Sequence, residues 1–194
     1  MGTVFFDIDT QLDFLFPAGA LYVPKAERLL PRVQELNRFA AQRGFPVIST
    51  TDAHAEDDPE FRQWPPHCIA GTVGQSKPCA TLLDRRTVVP TGSSAINVEG
   101  AAQIIIEKQQ LDAFTNPHLP EVLECLNASD YVVYGVVTEY CVRCAAFGLL
   151  DTGKPVSLVA DAIETLKPEA GDRTIREFTA RGGKVTTVAE VCSR

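Results

Sequence analysis

Cys141 lies in a sequence context that suits a catalytic nucleophile. It follows the apolar run Tyr131–Val137 and stands near the start of an amphipathic segment, Glu139–Thr152. A thiol at such a strand-to-helix transition lies near the positive end of the helix dipole, which favours the thiolate, and free backbone N–H groups there can bind a developing oxyanion. Cys144 lies three residues further on the same predicted helix face, so position alone does not choose between the two thiols.

Two charged residues are candidate partners for this thiol, because a nucleophilic cysteine needs a base or a charge beside it. Asp9 follows the first apolar run of the chain, and Lys108 follows the run Gln103–Glu107. Asp9 would accept the thiol proton and return it to the leaving amine, while Lys108 would stabilise the thiolate by its charge. A Cys–His pair is the alternative, with the histidines His54, His67 and His118 available.

Asp52, His54 and His67 form a candidate metal site after the second apolar run. Two of the three histidines of the chain fall in this one stretch, and two imidazoles with one carboxylate suit zinc, iron or manganese. Glu60 could supply a fourth oxygen. Cys68, next to His67, is a rival soft ligand.

The elements that must position these groups alternate between strands and helices. Six apolar runs predict strands, and their continuous hydrophobicity is typical of a parallel sheet covered on both faces: Thr3–Ile8, Pro46–Thr51, Gln103–Glu107, Tyr131–Val137, Pro155–Val159 and Lys184–Val188. Amphipathic segments predict helices over Lys25–Arg43, Glu139–Thr152 and Glu169–Arg181. We therefore predict a three-layer α/β/α fold with a central, mostly parallel six-stranded sheet.

Four predicted strand ends carry the candidate reactive groups. Asp9, Asp52 and Lys108 each follow a predicted strand, and Cys141 comes just after another. In open α/β sheets, functional sites lie beyond the carboxyl ends of the strands. We therefore expect these four residues to meet at one edge of the sheet, beside the long stretch 52–90, because loops of that length in a compact domain are usually functional.

Composition narrows the classes of function. The 194 residues fit a single domain spanning 1–194, and the net charge of −7 argues against nucleic acid as a partner. No apolar run approaches the length of a membrane span, and the N-terminus lacks the features of an export signal. The six cysteines show no zinc-finger spacing, so they are expected to be reduced thiols in a cytoplasmic protein that does not bind membranes.

Several sequence blocks together resemble the isochorismatase-like cysteine hydrolase superfamily, and within it the nicotinamidase (pyrazinamidase) branch. Residues 9–14 (DTQLDF) match the family pattern D-x-Q-x-D-F, and residues 64–72 (WPPHCIAGT) match W-P-P-H-C-x-x-G-T. Lys108 with Phe114 resembles K-x(5)-F, and residues 135–142 (GVVTEYCV) resemble G-x-x-T-D-x-C-V. The blocks occur in family order, which makes the resemblance far more specific than any one of them.

The resemblance implies roles for the candidate residues. Asp9, Lys108 and Cys141 would be a catalytic triad that works through a thioester and releases ammonia. A divalent metal, with zinc expected and Fe²⁺ or Mn²⁺ as alternatives, would be bound by the residues Asp52, His54, His67 and, less firmly, Glu60. Phe14 and Trp64 would hold the substrate ring. The N–H groups of Val137 and Cys141 would hold the oxyanion, with a cis peptide between Val136 and Val137.

The implied activity is metal-dependent hydrolysis of nicotinamide to nicotinate and ammonia, by an enzyme that is often a homo-oligomer in this family. The alternative is hydrolysis of another small amide or N-carbamoyl compound, because residues 109–113 lack a tyrosine common in nicotinamidases and have Leu111 instead. Glu139 also replaces the usual aspartate of the last block. A catalytically silent family member and a vinyl-ether hydrolase are further alternatives, and the triad and metal loop argue against both.

Overall fold

The central element of the fold is a seven-stranded sheet in which all neighbouring strands are parallel. The computed structural model describes residues 2–193. The strands are β1 (Thr3–Ile8), β2 (Val47–Asp52), β3 (Arg86–Val89), β4 (Gln103–Lys108), β5 (Asp130–Gly135), β6 (Val156–Ile163) and β7 (Lys184–Thr186). They are arranged in the order β3-β4-β2-β1-β5-β6-β7. The predicted α/β class and parallel sheet are confirmed, with one strand more than expected.

The additional strand is β3, at one edge of the sheet. Its four residues alternate between exposed and more buried positions, and the side chain of Val88 is 49% exposed. An edge strand has a neighbour on one side only and faces solvent along part of its length, so its sequence lacks the continuous apolar run of a central strand. This is why the hydrophobic pattern did not predict it.

The helices that cover the sheet are α1 (Leu12–Leu15), α2 (Leu30–Gln42), α3 (Leu119–Leu126), α4 (Arg143–Asp151), α5 (Pro168–Ala180) and α6 (Val188–Cys192). The predicted helix Lys25–Arg43 is divided into a 3₁₀ turn, Ala26–Leu29, and α2. Pro31 lies in the first turn of α2, where its missing N–H and fixed φ are tolerated. None of the described helices is both long and apolar enough to cross a membrane.

Two hydrophobic cores lie on opposite faces of the sheet. Val4, Phe6 and Ile8 of β1 belong to the core shared with α3, α4 and α5, whereas Phe5 belongs to the core shared with α1, α2 and α6. This alternation follows from the two-residue period of a strand. Helices on both faces therefore produce the expected three layers.

The register of the four central strands brings their carboxyl ends to one place. Asp52, the last residue of β2, is paired directly with Lys108, the last residue of β4. On the other side of β2, Ile8 is paired with Thr50 and also with Gly135 of β5. Asp9 therefore emerges between the β2 end and the turn that leads to Cys141.

Candidate active site

Lys108 contacts both of the other predicted catalytic residues. Its Nζ lies 2.9 Å from Asp9 Oδ2 and 3.6 Å from Cys141 Sγ. Asp9 and Lys108 are 1% exposed and Cys141 is 6% exposed. Lys108 thus contacts both Asp9 and Cys141, and residues from three strand ends meet away from bulk solvent.

Lys108 also forms an ion pair with Asp52 Oδ1, a contact that sequence reasoning did not assign. Burial acts to lower the pKa of Lys108, but the carboxylates of Asp52 and Asp9 outweigh it and hold that pKa well above its ordinary value. Burial raises the pKa of Asp52, and Lys108 opposes that rise. The ammonium therefore stays charged between two carboxylates and links the thiol to the metal candidate.

Cys141 lies in a wide helical turn, Thr138–Val142, that leads into α4 and is kinked at Tyr140. Burial raises the pKa of its thiol well above the ordinary value, and the nearby Lys108 ammonium only partly offsets this. Burial thus opposes the expected effect of the helix start, which is to favour the thiolate. A thiol of this kind needs a base at the moment of attack.

The carboxylate of Asp9 is the candidate for that base. Its Oδ1 accepts a hydrogen bond from Thr50 Oγ1 at 2.5 Å, which fixes the carboxylate plane. Its Oδ2 is buried and ion-paired with Lys108 but accepts no aligned hydrogen bond among the described residues. The negative charge of Asp9 also raises the pKa of the Cys141 thiol. One oxygen of the carboxylate is thus available to exchange a proton with the cysteine.

Asp52, His54 and His67 form a buried cluster whose ligand atoms all lie within 4.8 Å of one another. The Nε2 atoms of His54 and His67 lie 4.0 Å and 3.9 Å from Asp52 Oδ2. His54 Nε2 is fully buried and has no hydrogen-bond partner among the described residues. Because an orphaned buried nitrogen is costly, its position beside an imidazole and a carboxylate fits a divalent metal ion.

The other nitrogen of each imidazole is already occupied. His54 Nδ1 lies 3.0 Å from Asp58 Oδ2, and His67 Nδ1 lies 2.8 Å from the carbonyl oxygen of Pro65. Both acceptors require a proton on Nδ1, so the Nε2 lone pairs point toward the cluster. Burial lowers the pKa of His67, which favours the neutral, ligating form. Sequence reasoning missed Asp58, although its spacing of four residues from His54 in an acidic loop was visible.

Replacing Asp58 with asparagine is expected to weaken metal binding by about tenfold or more, because outer partners of metal-ligating histidines have effects of that size. The substitution removes the charge opposite His54 Nδ1 but keeps an oxygen that can accept from Glu60 N–H, which Asp58 now does at 2.9 Å. Zinc affinity measured by competition with a chromogenic chelator checks this. Asp57→Asn, at the exposed neighbouring position, is the matched control. Equal affinities in the two variants would contradict the role of Asp58.

The rival residues from the sequence lie elsewhere or play other parts. Glu60 lines the same cavity but is not one of the three clustered ligands. The backbone N–H of Cys68 donates to Asp13 Oδ2 at 2.7 Å, and burial raises the pKa of its thiol. His118 contacts the carbonyl oxygen of Ser93. Among the described residues no histidine is hydrogen-bonded to Cys141, so the geometry favours the Asp–Lys arrangement.

A cavity of about 430 Å³, which includes its open mouth, lies in front of the thiol. Phe14 and Trp64, predicted to contact a substrate ring, both line it. Trp64 packs edge-to-face on Tyr140, with ring centroids 5.4 Å apart, and Phe14 packs against His67. The remaining apolar lining residues are Leu21, Val23, Leu111, Val136, Val137 and Leu166. Val136 and Val137 are joined by a cis peptide, as expected.

Glu139 determines part of this wall. Its carboxylate accepts hydrogen bonds from Thr165 Oγ1 at 2.6 Å and from the backbone N–H groups of Leu166 and Lys167 at 3.1 Å and 2.9 Å. These contacts fix the segment after β6 and place Leu166 at the cavity. The glutamate that departs from the family pattern thus still organises the region beside Cys141.

The chain is similar to a known family and to several known proteins. The Isochorismatase domain family matches residues 3–190. Nicotinamidase of Escherichia coli is 23% identical over 94% of this chain and 93% of its own length, and a probable inactive nicotinamidase of Arabidopsis thaliana is 26% identical over 94% and 91%. The crystal structure of pyrazinamidase of Pyrococcus horikoshii in complex with zinc matches with a TM-score of 0.80 and 28% identity, covering 96% of this chain and 99% of that one. The chain belongs to the isochorismatase domain family.

Proposed function

We propose that this protein is a metal-dependent cysteine amidohydrolase and that its substrate is nicotinamide, which it converts to nicotinate and ammonia. The observation that carries the proposal is the set of contacts that Lys108 makes with Cys141, Asp9 and Asp52, because they join a nucleophile and its base to a metal-binding cluster in one buried site. The nicotinamidase and pyrazinamidase names of the relatives support the choice of a pyridine or pyrazine carboxamide.

In the first half of the reaction, Cys141 Sγ attacks the carboxamide carbon while Asp9 takes the thiol proton. Lys108 holds its positive charge beside the sulfur and stabilises the developing thiolate. Asp9 then returns the proton to the amide nitrogen, the C–N bond breaks, and ammonia leaves. The product of this half-reaction is a thioester between the acyl group and Cys141.

In the second half, Asp9 takes a proton from water as the water oxygen attacks the thioester carbon. The C–S bond breaks, the proton is transferred to the sulfur, and the acid is released with Cys141 as a thiol again. The N–H groups of Val137 and Cys141, two residues that line the cavity at the turn, are proposed to bind the oxyanion in both halves.

Asp52, His54 and His67, with Glu60 at the cavity wall, would hold the metal ion, for which zinc is our proposal. When bound, the ion supplies a Lewis acid that can hold a ring nitrogen or a water molecule. Asp52 could hold the ion without leaving Lys108, because its Oδ1 pairs with the ammonium while its Oδ2 faces the two imidazoles. The two oxygens of one carboxylate therefore serve the two halves of the site.

The charges around the cavity favour a neutral substrate. The ionisable groups that line it are Asp9, Asp52, Glu60, His67, Tyr140 and Cys141, and none of the described lining residues is lysine or arginine. Lys108 lies behind two carboxylates and is already paired with both. The side chains therefore offer a substrate carboxylate no cationic partner to replace the hydration that it would lose. Flat carboxamides without a negative charge fit best.

A second candidate is hydrolysis of another small amide or N-carbamoyl compound. Leu111, which is 37% exposed at the cavity, stands in place of the tyrosine expected for a nicotinamidase. An aliphatic side chain there offers no hydroxyl to a polar ring substituent and leaves the mouth wider. Neutral aliphatic amides are the members of this class that the cavity charges allow.

Ammonia release from nicotinamide by the purified protein tests the proposal. We expect release by the zinc-loaded protein, loss of most of it after treatment with a strong chelator, and recovery on adding zinc. A parallel panel compares nicotinamide and pyrazinamide with a neutral aliphatic amide and with an N-carbamoyl amino acid. No release from any neutral amide by the zinc-loaded protein would refute the function, and preference for the carboxylated compound would refute the argument from cavity charge.

A further inference from the structure

A second buried ion pair lies below the site and takes no part in the mechanism above. Lys77 Nζ is 3.0 Å from Asp7 Oδ2, and the two residues are 7% and 0% exposed. Thr10 bridges them, since its hydroxyl donates to Asp7 Oδ1 at 2.6 Å and accepts from Lys77 Nζ at 2.5 Å. Asp7 interrupts the apolar β1, where a charge needs a specific reason to be present.

Neighbouring side chains donate several further hydrogen bonds to the Asp7 carboxylate. Its Oδ2 also accepts hydrogen bonds from Asn37 Nδ2 of α2 at 3.1 Å and from Ser49 Oγ of β2 at 3.2 Å. Asn37 Oδ1 in turn accepts from Tyr134 OH of β5 at 2.5 Å. A network of this kind ties one helix and three strands to a single point. The long loop after β2 enters it through the charged side chain of Lys77 and through the carbonyl oxygen of Thr81, which accepts from Asn37 Nδ2 at 2.7 Å.

The loop segment that ends at Lys77 is bonded along its length to the residues that follow Asp9. Leu12 N–H donates to Ser76 O at 2.9 Å, Asp13 N–H donates to Gly74 O at 3.1 Å, and Gln11 Nε2 donates to Gln75 O at 2.8 Å. The approach is so close that a Cβ at Gly74 would lie 2.2 Å from Asp13 Oδ2. The segments 10–13 and 74–77 therefore form one unit, with the Lys77 ion pair at its end.

This unit contacts both halves of the site. Gln11 Oε1 accepts from the backbone N–H of Asp52 at 2.7 Å, and Asp13 Oδ2 accepts from the N–H of Cys68, next to His67, at 2.7 Å. Thr10 follows Asp9 directly. A shift of the unit would therefore move the catalytic base and two metal ligands together.

We infer that Lys77 is a positioning residue: its ion pair with Asp7 anchors the outgoing end of the loop 53–77 to the sheet and so holds His67 and Asp9 in register. The inference rests on the proposed function for its consequence in catalysis, but the anchoring itself can be measured without activity. Buried ion pairs are often no more stabilising than apolar residues of the same shape, so a role in fixing one arrangement is the more specific explanation.

The double variant Asp7→Asn with Lys77→Met tests the inference, because it removes both charges together and leaves neither one buried alone. Tryptic cleavage after Arg62, an exposed loop residue, reports on opening of the loop in the native protein. We expect cleavage to be faster by about tenfold, since loop opening is controlled by local rather than global stability. We expect zinc affinity to be lower by about tenfold, as for other outer supports of metal ligands.

A variant that only loses stability is the matched control. Val156→Ala removes two methyl groups from a buried position at the opposite end of the sheet and lowers Tm without touching the loop. The double variant could instead show a lower Tm together with the same cleavage rate and zinc affinity as Val156→Ala. In that case the Asp7–Lys77 ion pair only stabilises the fold, and the inference fails.

A milder variant keeps the test decisive if the double variant does not fold. Thr10→Val removes the bridging hydroxyl and retains the ion pair, and we expect cleavage after Arg62 to be faster by about threefold. An unchanged rate would overturn the inference. Absence of zinc binding and ammonia release in the wild-type protein would instead refute the proposed function, while the cleavage comparison would still test the anchor.

Discussion

Replacing Cys141 with alanine is expected to lower kcat for amide hydrolysis by about 10⁴-fold or more, because a covalent route without its nucleophile retains only binding and electrostatic effects. The fold should be retained, since the side chain is small and the turn is held by backbone hydrogen bonds from Tyr140 and Val142 to Val137 O. Ammonia release under saturating nicotinamide measures the effect, and a zinc titration of the variant shows whether the metal cluster is unchanged.

Cys144 provides the matched control for this substitution. It lies one helical turn further along, is partly buried, and forms no contact with Lys108 like that of Cys141. Cys144→Ala should therefore keep kcat near the wild-type value. Loss of activity in Cys144→Ala, with activity retained in Cys141→Ala, would show that our proposal assigns the nucleophile to the wrong residue.

Replacing Lys108 with methionine is expected to affect activity and stability together. The variant leaves the carboxylates of Asp9 and Asp52 buried without their cation. An uncompensated buried charge costs about 3–5 kcal/mol, which for a chain of this size corresponds to a Tm lower by about 6–20 °C. We also expect kcat to fall by about 10³-fold, because both thiolate stabilisation and the orientation of Asp9 are lost.

Calorimetry and ammonia release on the same samples separate the two effects. Lys184→Met, which changes an exposed lysine of the edge strand β7, is the control for loss of one positive charge and should leave both quantities near wild type. A Lys108→Met protein with normal kcat would show that Lys108 only balances charge in the core. Normal stability with lost activity would show that the two carboxylates are compensated in another way.

Much of the fold was accessible from hydrophobic patterning. Thr3–Ile8 was predicted with its observed bounds, because a strand covered on both faces leaves a continuous apolar run between polar residues. The edge strand β3 was not predicted, and Lys184–Val188 was predicted as a strand although Val188 begins α6. Both errors occur where one face or one end of the element contacts solvent or a cap, so that the apolar pattern no longer defines its limits.

The candidate site shows a similar division. Asp9, Lys108 and Cys141 could be named because each follows an apolar run, and the family resemblance distinguished Cys141 from Cys144. The contact of Lys108 with Asp52 depends on the pairing of β2 with β4, and the contact of Asp58 with His54 depends on the path of an irregular loop. Neither the strand order nor a loop path is encoded in local periodicity.

Asp7 illustrates what remained out of reach. From the sequence it was only a charge in an apolar strand, and its partner Lys77 lies seventy residues further along a loop with no regular pattern. The chain by itself determined which chemical groups are present, that they stand at strand ends, and that the strands alternate with helices, because these features follow from residue type and local period. The tertiary structure alone decided which groups meet, that burial raises the pKa of the Cys141 thiol, and that Lys77 pairs with Asp7, because distances and desolvation arise only when remote segments pack together.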